Sequence, residues 1–129
     1  MQIIAIIASA LSNFIIGGLW YSPIMFGNIW KKEQNLTDEQ LKSHGVTPFI
    51  FSFIYSILAA IGFGYLIMNS PSLSSNLIIG LIIGILLVAT ALGTNYQFSG
   101  RSNITFLIDS GYHVVRFIVY ALIFWFIRY

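Results

Sequence analysis

Four long apolar runs occupy most of this 129-residue chain, and they constrain its fold more than any other feature. They cover about residues 2–22, 48–68, 76–98 and 104–127. Each is long enough to cross a hydrocarbon core, which takes about 20 helical residues. Only 8% of the residues are charged, whereas soluble domains carry about 25%. The sequence therefore predicts an all-α integral membrane protein with one transmembrane domain over residues 1–129.

The links between these runs predict how the helices are connected. Residues 69–75 and 99–103 are short and polar, which favours antiparallel neighbours and an up-down bundle of four transmembrane helices. The first run includes Ala8-Ser9-Ala10, which has the form of a signal-peptide cleavage site. However, no Lys or Arg precedes the run and it continues to Tyr21, so we expect a retained helix.

The long link, residues 23–47, contains the signature of a short helix. Thr37 and Gln40 have the spacing of a capping box, and Gly45 provides a stop. We therefore predict a helix over about 38–44, lying at the membrane surface between helices one and two.

Basic residues predict the orientation of the chain. The side that holds the first and third links has four basic residues, which are Lys31, Lys32, Lys42 and Arg101. The other side has only Arg128. Because cytoplasmic loops are enriched in Lys and Arg, we predict that both termini lie outside and the surface helix lies in the cytoplasm.

The fourth run carries a polar stripe at helical spacing: Asp109, Tyr112, His113, Arg116 and Tyr120. A charge at mid-bilayer costs at least about 2.5–3.5 kcal/mol, so these groups should be hidden from lipid. One hypothesis is a binding site or proton relay in which Asp109 accepts from His113 and Arg116 holds an anion or neutralises the acid. The alternative is an internal network of charges that only fixes helix packing.

Polar residues of all four helices fall in the half of the membrane that we assign to the cytoplasm. This pattern predicts a polar chamber there, closed on the other side. We expect its lining to include Asn13, Trp20, Tyr21, Tyr112 and Asn95. Asn13 is also a candidate for interhelical hydrogen bonding, and Trp20, Tyr21 and Trp30 are candidates for interface anchors.

Other kinds of chemistry have little support. The chain has no cysteine and only two histidines, which do not form a metal-binding motif, so we expect neither a metal nor a cofactor. A hydrolase would need a serine beside His113, yet Ser110 lies off the stripe. Enzymatic activity is therefore not favoured, and the small net charge of +2 does not indicate nucleic acid.

Two blocks of sequence carry a resemblance to a known family. The first is Gly18-Leu19-Trp20-Tyr21-Ser22-Pro23 with Phe26-Gly27 and Trp30, and the second is Asn95-Tyr96-Gln97-Phe98, Arg101 and Phe106 to His113. The chain resembles the small bacterial membrane proteins of the domain-of-unknown-function family seventeen sixty-one. The resemblance implies a four-helix protein of the bacterial cytoplasmic membrane, without an assigned activity or catalytic residues.

We therefore expect a small binding or transport-type membrane protein that holds a small polar or anionic ligand, a proton or a lipid headgroup in the cytoplasmic half. The alternative is a structural or accessory subunit that docks a larger membrane partner through the polar face of helix four. The expected partners are membrane lipids, a second copy of the chain in a homo-oligomer, or that larger protein.

Overall fold

The computed structural model describes residues 2–127, which are mostly helical and contain no strand. The elements in chain order are α1 (Ile3–Trp20), α2 (Gly27–Glu33), α3 (Asp38–Lys42), α4 (Thr47–Leu66), α5 (Leu73–Leu81), a π-helical segment (Ile82–Ala89), α6 (Thr90–Ser99) and α7 (Asn103–Phe126). α5, the π-helical segment and α6 form one continuous helix, called the third helix below. α1, α4, the third helix and α7 are each long and apolar enough to cross a membrane.

The boundaries of these four long helices lie within three residues of the predicted ones. Sequence reasoning did not predict α2, nor the π-helical segment inside the third helix. Met1, Arg128 and Tyr129 lie outside the described residues. Arg128, which we used to predict the orientation, is one of them.

α7 is the central helix of the packing. It contacts α1 and the third helix extensively, whereas α4 packs mainly on α1. Two contacts show that α1 and α7 run antiparallel: Gly17 lies against the Tyr112 ring, and Asn13 bonds to Tyr120 farther along α7. Side chains of α7 can therefore meet groups from all three other long helices.

Two glycines let the third helix approach the backbone of α7. A Cβ on Gly80 would lie 2.8 Å from the Phe117 carbonyl oxygen, and one on Gly84 would lie 3.0 Å from Val114 Cα. Small residues permit such close contacts between membrane helices. The sequence spacing of these glycines marks this packing face.

An aromatic cluster packs α4 against α7. The ring of Phe63 lies 6.0 Å from each of the rings of Phe117, Tyr120 and Phe124. Ala5 of α1 and the α4 residue Ala60 are fully buried in the same cluster. Apolar side chains therefore fill this part of the contact between α1, α4 and α7.

The link between α1 and α4 contains the expected capping box. Thr37 Oγ1 accepts from the Gln40 backbone N–H at 3.2 Å, and Gln40 Oε1 accepts from the Thr37 N–H at 2.9 Å. α3 ends at Lys42, slightly before the predicted end. Lys31 Nζ lies 2.7 Å from Asp38 Oδ1, which joins α2 to α3 and holds the pKa of the Asp38 carboxyl below its usual value.

Candidate functional site

The Asp109 carboxylate is the meeting point of four helical segments. Only 8% of this residue is exposed, and its oxygens accept three hydrogen bonds. The Tyr21 hydroxyl donates to Oδ1 at 2.6 Å, the Trp30 indole N–H donates to the same oxygen at 3.0 Å, and the Tyr96 hydroxyl donates to Oδ2 at 2.6 Å. The donors come from the end of α1, from α2 and from α6. The Asp109 side chain therefore links these three segments to α7.

All three partners of Asp109 are neutral. No cation of residues 2–127 lies within 4.0 Å of the carboxylate. Hydrogen bonds to a charged acceptor are about twice as strong as neutral ones, so three of them can stabilise a buried carboxylate. Tyr21, Trp30 and Tyr96 therefore form an aromatic cage around the carboxylate, which is an arrangement that fixes packing.

The prediction that Asp109 accepts from His113 is wrong. Both Asp109 oxygens accept from Tyr21, Trp30 and Tyr96, which belong to other helical segments. His113 lies one turn farther on, and its Nδ1 is instead 3.1 Å from Arg116 Nη1.

Arg116 does not neutralise Asp109 either. Its guanidinium reaches back to His113 and lies 5.0 Å and 5.5 Å from the ring centres of Phe117 and Tyr120. The predicted stripe therefore separates into two groups, the Asp109 cage and the Arg116–His113 pair.

Asn13 makes interhelical hydrogen bonds, as predicted. Its Nδ2 donates to Ser56 Oγ at 2.6 Å and to Tyr120 Oη at 2.7 Å. Because the Tyr120 hydroxyl donates its own proton to the Ser56 carbonyl at 3.2 Å, it must accept from Asn13. This network links α1, α4 and α7 and leaves Asn13 Oδ1 buried without a partner.

Trp20 acts in packing at the end of α1. Its indole N–H donates to the Ile108 carbonyl at 2.9 Å. A Cβ added to Gly111 would lie 2.9 Å from the Trp20 ring, so the indole lies flush against α7 at a glycine.

Asn95 is exposed, and its neighbour Tyr96 has the inward position. Gly84 lies on the face of the third helix that contacts α7. In a regular α-helix of about 3.6 residues per turn, the residue three turns later on the same face would be Asn95. The π-helical segment Ile82–Ala89 lies between them, and its wider turns take about one more residue each. That extra residue places Tyr96 on the face that contacts α7.

A cavity of about 690 Å³, called the α1–α4 cavity below, lies between α1, α2, α4 and α7. Its lining consists of Asn13, Phe14, Gly17, Gly18, Tyr21, Trp30, Pro48, Phe49, Ser52, Ser56 and Tyr112. Of the predicted chamber residues, Asn13, Tyr21 and Tyr112 lie in this wall. The other five do not: Trp20, Asn95, Asp109, His113 and Arg116.

Comparison with known families bears on this arrangement. A profile of the family described as protein of unknown function (DUF1761) matches residues 4–125. The chain belongs to the DUF1761 family. No curated protein and no solved structure is significantly similar to it.

The sequence blocks that resemble the DUF1761 family meet at Asp109. Tyr21 and Trp30 come from the first block, and Tyr96 and Asp109 come from the second. Tyr21 and Trp30, which are candidates for interface anchors, both donate inward to the carboxylate. The same two side chains also form part of the cavity wall, so the cage and the cavity share a boundary.

Replacing Trp30 by phenylalanine should loosen α2. The change keeps an aromatic ring beside Tyr21 but removes the N–H that donates to Asp109, at a cost of about 1.5–3 kcal/mol. Hydrogen–deuterium exchange should become faster at the α2 amides. Ile29→Val, at a residue that is 48% exposed, is the control and should leave exchange unchanged. Unchanged α2 exchange in Trp30→Phe would show that the indole N–H does not hold this helix.

Proposed function

We propose that this DUF1761 protein spans a membrane through its four long helices and binds a neutral amphiphilic molecule in the α1–α4 cavity. The main support for this proposal is the composition of the cavity wall. It combines aromatic rings with hydroxyl and amide groups and contains no charged side chain. Its volume of about 690 Å³ falls within the roughly 300–1,000 Å³ of small-molecule pockets.

The outer surface supports membrane insertion. Leu86 and Leu87 of the third helix are each 60% exposed, and Phe49 and Leu58 of α4 are 62% and 60% exposed. Soluble monomers rarely expose contiguous apolar patches of more than a few hundred Å². Lipid chains would cover these faces at no cost.

The basic residues support an orientation in which the cavity faces the cytoplasmic leaflet. Lys31 and Lys32 belong to α2, which contributes Trp30 to the cavity wall, and Lys42 belongs to α3. Positive loops favour the cytoplasmic side. A molecule dissolved in that leaflet would reach the cavity beside α2.

The wall also indicates the chemistry of the ligand. The ring of Phe14 lies 6.4 Å from that of Phe49, which gives an apolar surface for a chain or ring. Ser52 is exposed and its hydroxyl makes no hydrogen bond with the described residues, so it is free to bind a ligand hydroxyl or carbonyl. Because the wall offers no cation, an anionic ligand is disfavoured in this cavity.

A cavity-filling variant tests the proposal. Gly18 lies in the cavity wall and a Cβ there meets no atom within 4 Å, so Gly18→Leu would place a side chain in the cavity without straining the protein. We expect it to weaken the binding of monooleoylglycerol by roughly tenfold or more, measured as a thermal shift in detergent micelles.

Gly62→Leu provides the matched control, because Gly62 is equally unhindered but lies in α4 away from the cavity wall. It should bind monooleoylglycerol like the unmodified protein. Oleate, which carries a charge on the same chain, should bind more weakly than monooleoylglycerol. Equal affinity in Gly18→Leu, or no saturable binding to the unmodified protein, would contradict the proposal and favour a docking role.

A further inference from the structure

Arg116 has a positive charge that the described residues leave without a counterion. No carboxylate of residues 2–127 lies within 4.0 Å of its guanidinium. Its Nε is buried without a hydrogen-bond partner among residues 2–127, and its only hydrogen bond within that range is from Nη1 to His113. Arginine inside an apolar helix is costly, by at least about 2.5 kcal/mol, and normally has a partner.

The contact with His113 determines which groups remain free. A guanidinium only donates hydrogen bonds, so His113 Nδ1 must accept at 3.1 Å. The ring is then neutral, with its proton on Nε2. The free groups of this pair are therefore the remaining guanidinium N–H groups and the His113 Nε2–H, and all of them are donors.

Nearby groups do not supply the missing acceptor. The rings of Phe117 and Tyr120 attract the cation but accept no strong hydrogen bond. Asp109 lies two helical turns away, about 10 Å along the axis, and its oxygens are occupied by Tyr21, Trp30 and Tyr96.

We propose that the Arg116–His113 pair binds a small carboxylate anion. The guanidinium edge formed by Nε and the second Nη is a planar pair of donors that matches a carboxylate. Nε is covered by protein atoms, so binding requires a small shift of the side chain. With α7 crossing the membrane as proposed above, Arg116 lies roughly 20 Å from the start of α7 and roughly 15 Å from its end, too deep for a lipid headgroup. The ligand is therefore a short soluble carboxylate, and the site is independent of the α1–α4 cavity.

Thermal unfolding with sodium formate as the probe tests this site. Ionic strength is held constant with sodium isethionate, whose sulfonate is bulkier. We expect a saturable rise in Tm of about 5 °C at ten times the dissociation constant. Arg116→Gln should abolish the rise. Arg116→Lys keeps the charge but loses the planar pair of donors, so it should bind formate at least fivefold more weakly.

A second measurement covers the case in which the Arg116 variants fold poorly. His113→Gln offers a carbonyl that can accept from Arg116 but removes the His113 Nε2–H, so it should keep a formate response that is weaker than that of the unmodified protein, whereas oleate should not reproduce the response in Gly18→Leu, whose cavity is filled. Line broadening of ¹³C-formate by the unmodified protein should appear in the same concentration range. An absent formate response, or one of equal size in Arg116→Gln, would overturn the proposal. In Gly18→Leu, a stronger response to oleate than to formate would overturn the assignment to a soluble anion.

Discussion

Replacing Asp109 by alanine is expected to lower the free energy of unfolding by several kcal/mol. The change leaves the donors of Tyr21, Trp30 and Tyr96 without an acceptor. Each buried unpaired donor costs about 1–3 kcal/mol. Urea unfolding in detergent micelles, followed by tryptophan fluorescence, would measure the loss.

Asp109→Asn is the matched variant for this prediction. Its carbonyl oxygen can still accept from Tyr21 and Trp30, and its amide can donate to the Tyr96 oxygen. We expect it to lose less than half as much stability as the alanine variant, because charged hydrogen bonds are about twice as strong as neutral ones. Equal stability of the two variants would show that the three hydrogen bonds do not hold the fold together.

Replacing Gly27 by alanine should also have a large effect. A Cβ at this position would lie 2.1 Å from the Tyr21 carbonyl oxygen and 2.9 Å from the Ser22 carbonyl carbon. These are backbone atoms that cannot turn aside, so α2 would have to move away from the end of α1. We expect a loss of about 3 kcal/mol, at the upper end for overpacking, and the loss of the bond between Trp30 and Asp109.

For Gly27→Ala, we would measure the free energy of unfolding and the rate of amide hydrogen exchange in α2. The exchange in α2 should become fast. Gly62→Ala is the control, because a Cβ at Gly62 meets no atom within 4 Å. It should be neutral or stabilising by up to about 1 kcal/mol, since alanine favours helix over glycine. A Gly27→Ala protein as stable as Gly62→Ala would mean that α2 does not pack against this turn.

The long helices and the α3 capping box follow from local pattern alone. Hydropathy over about 20 residues determines the four helices, and the spacing of Thr37 and Gln40 determines the cap. Asn13 was also predictable, because a buried amide in an apolar helix must find a partner on another helix.

The partners of Asp109 could not be predicted from the local sequence pattern, because they belong to other helical segments. Helical spacing brought Asp109 and His113 to one face, but Asp109 accepts from other helical segments and His113 pairs with Arg116. Tyr96 was displaced from the expected register by the π-helical segment, which apolar residues such as Leu86 and Leu87 do not signal. Trp30 belongs to a short helix whose position depends on the close contact at Gly27.

Cysteine protection tests the central claim, that the α1–α4 cavity binds a neutral amphiphile, most directly. The chain has no cysteine, so Ser52→Cys in the cavity wall gives a unique label site. Leu107→Cys, at a residue of α7 that is 67% exposed and outside that wall, is the control. In lipid nanodiscs, monooleoylglycerol should slow maleimide labelling of Ser52→Cys in a saturable manner and leave Leu107→Cys unaffected. Equal labelling rates of Ser52→Cys with and without monooleoylglycerol would contradict the claim.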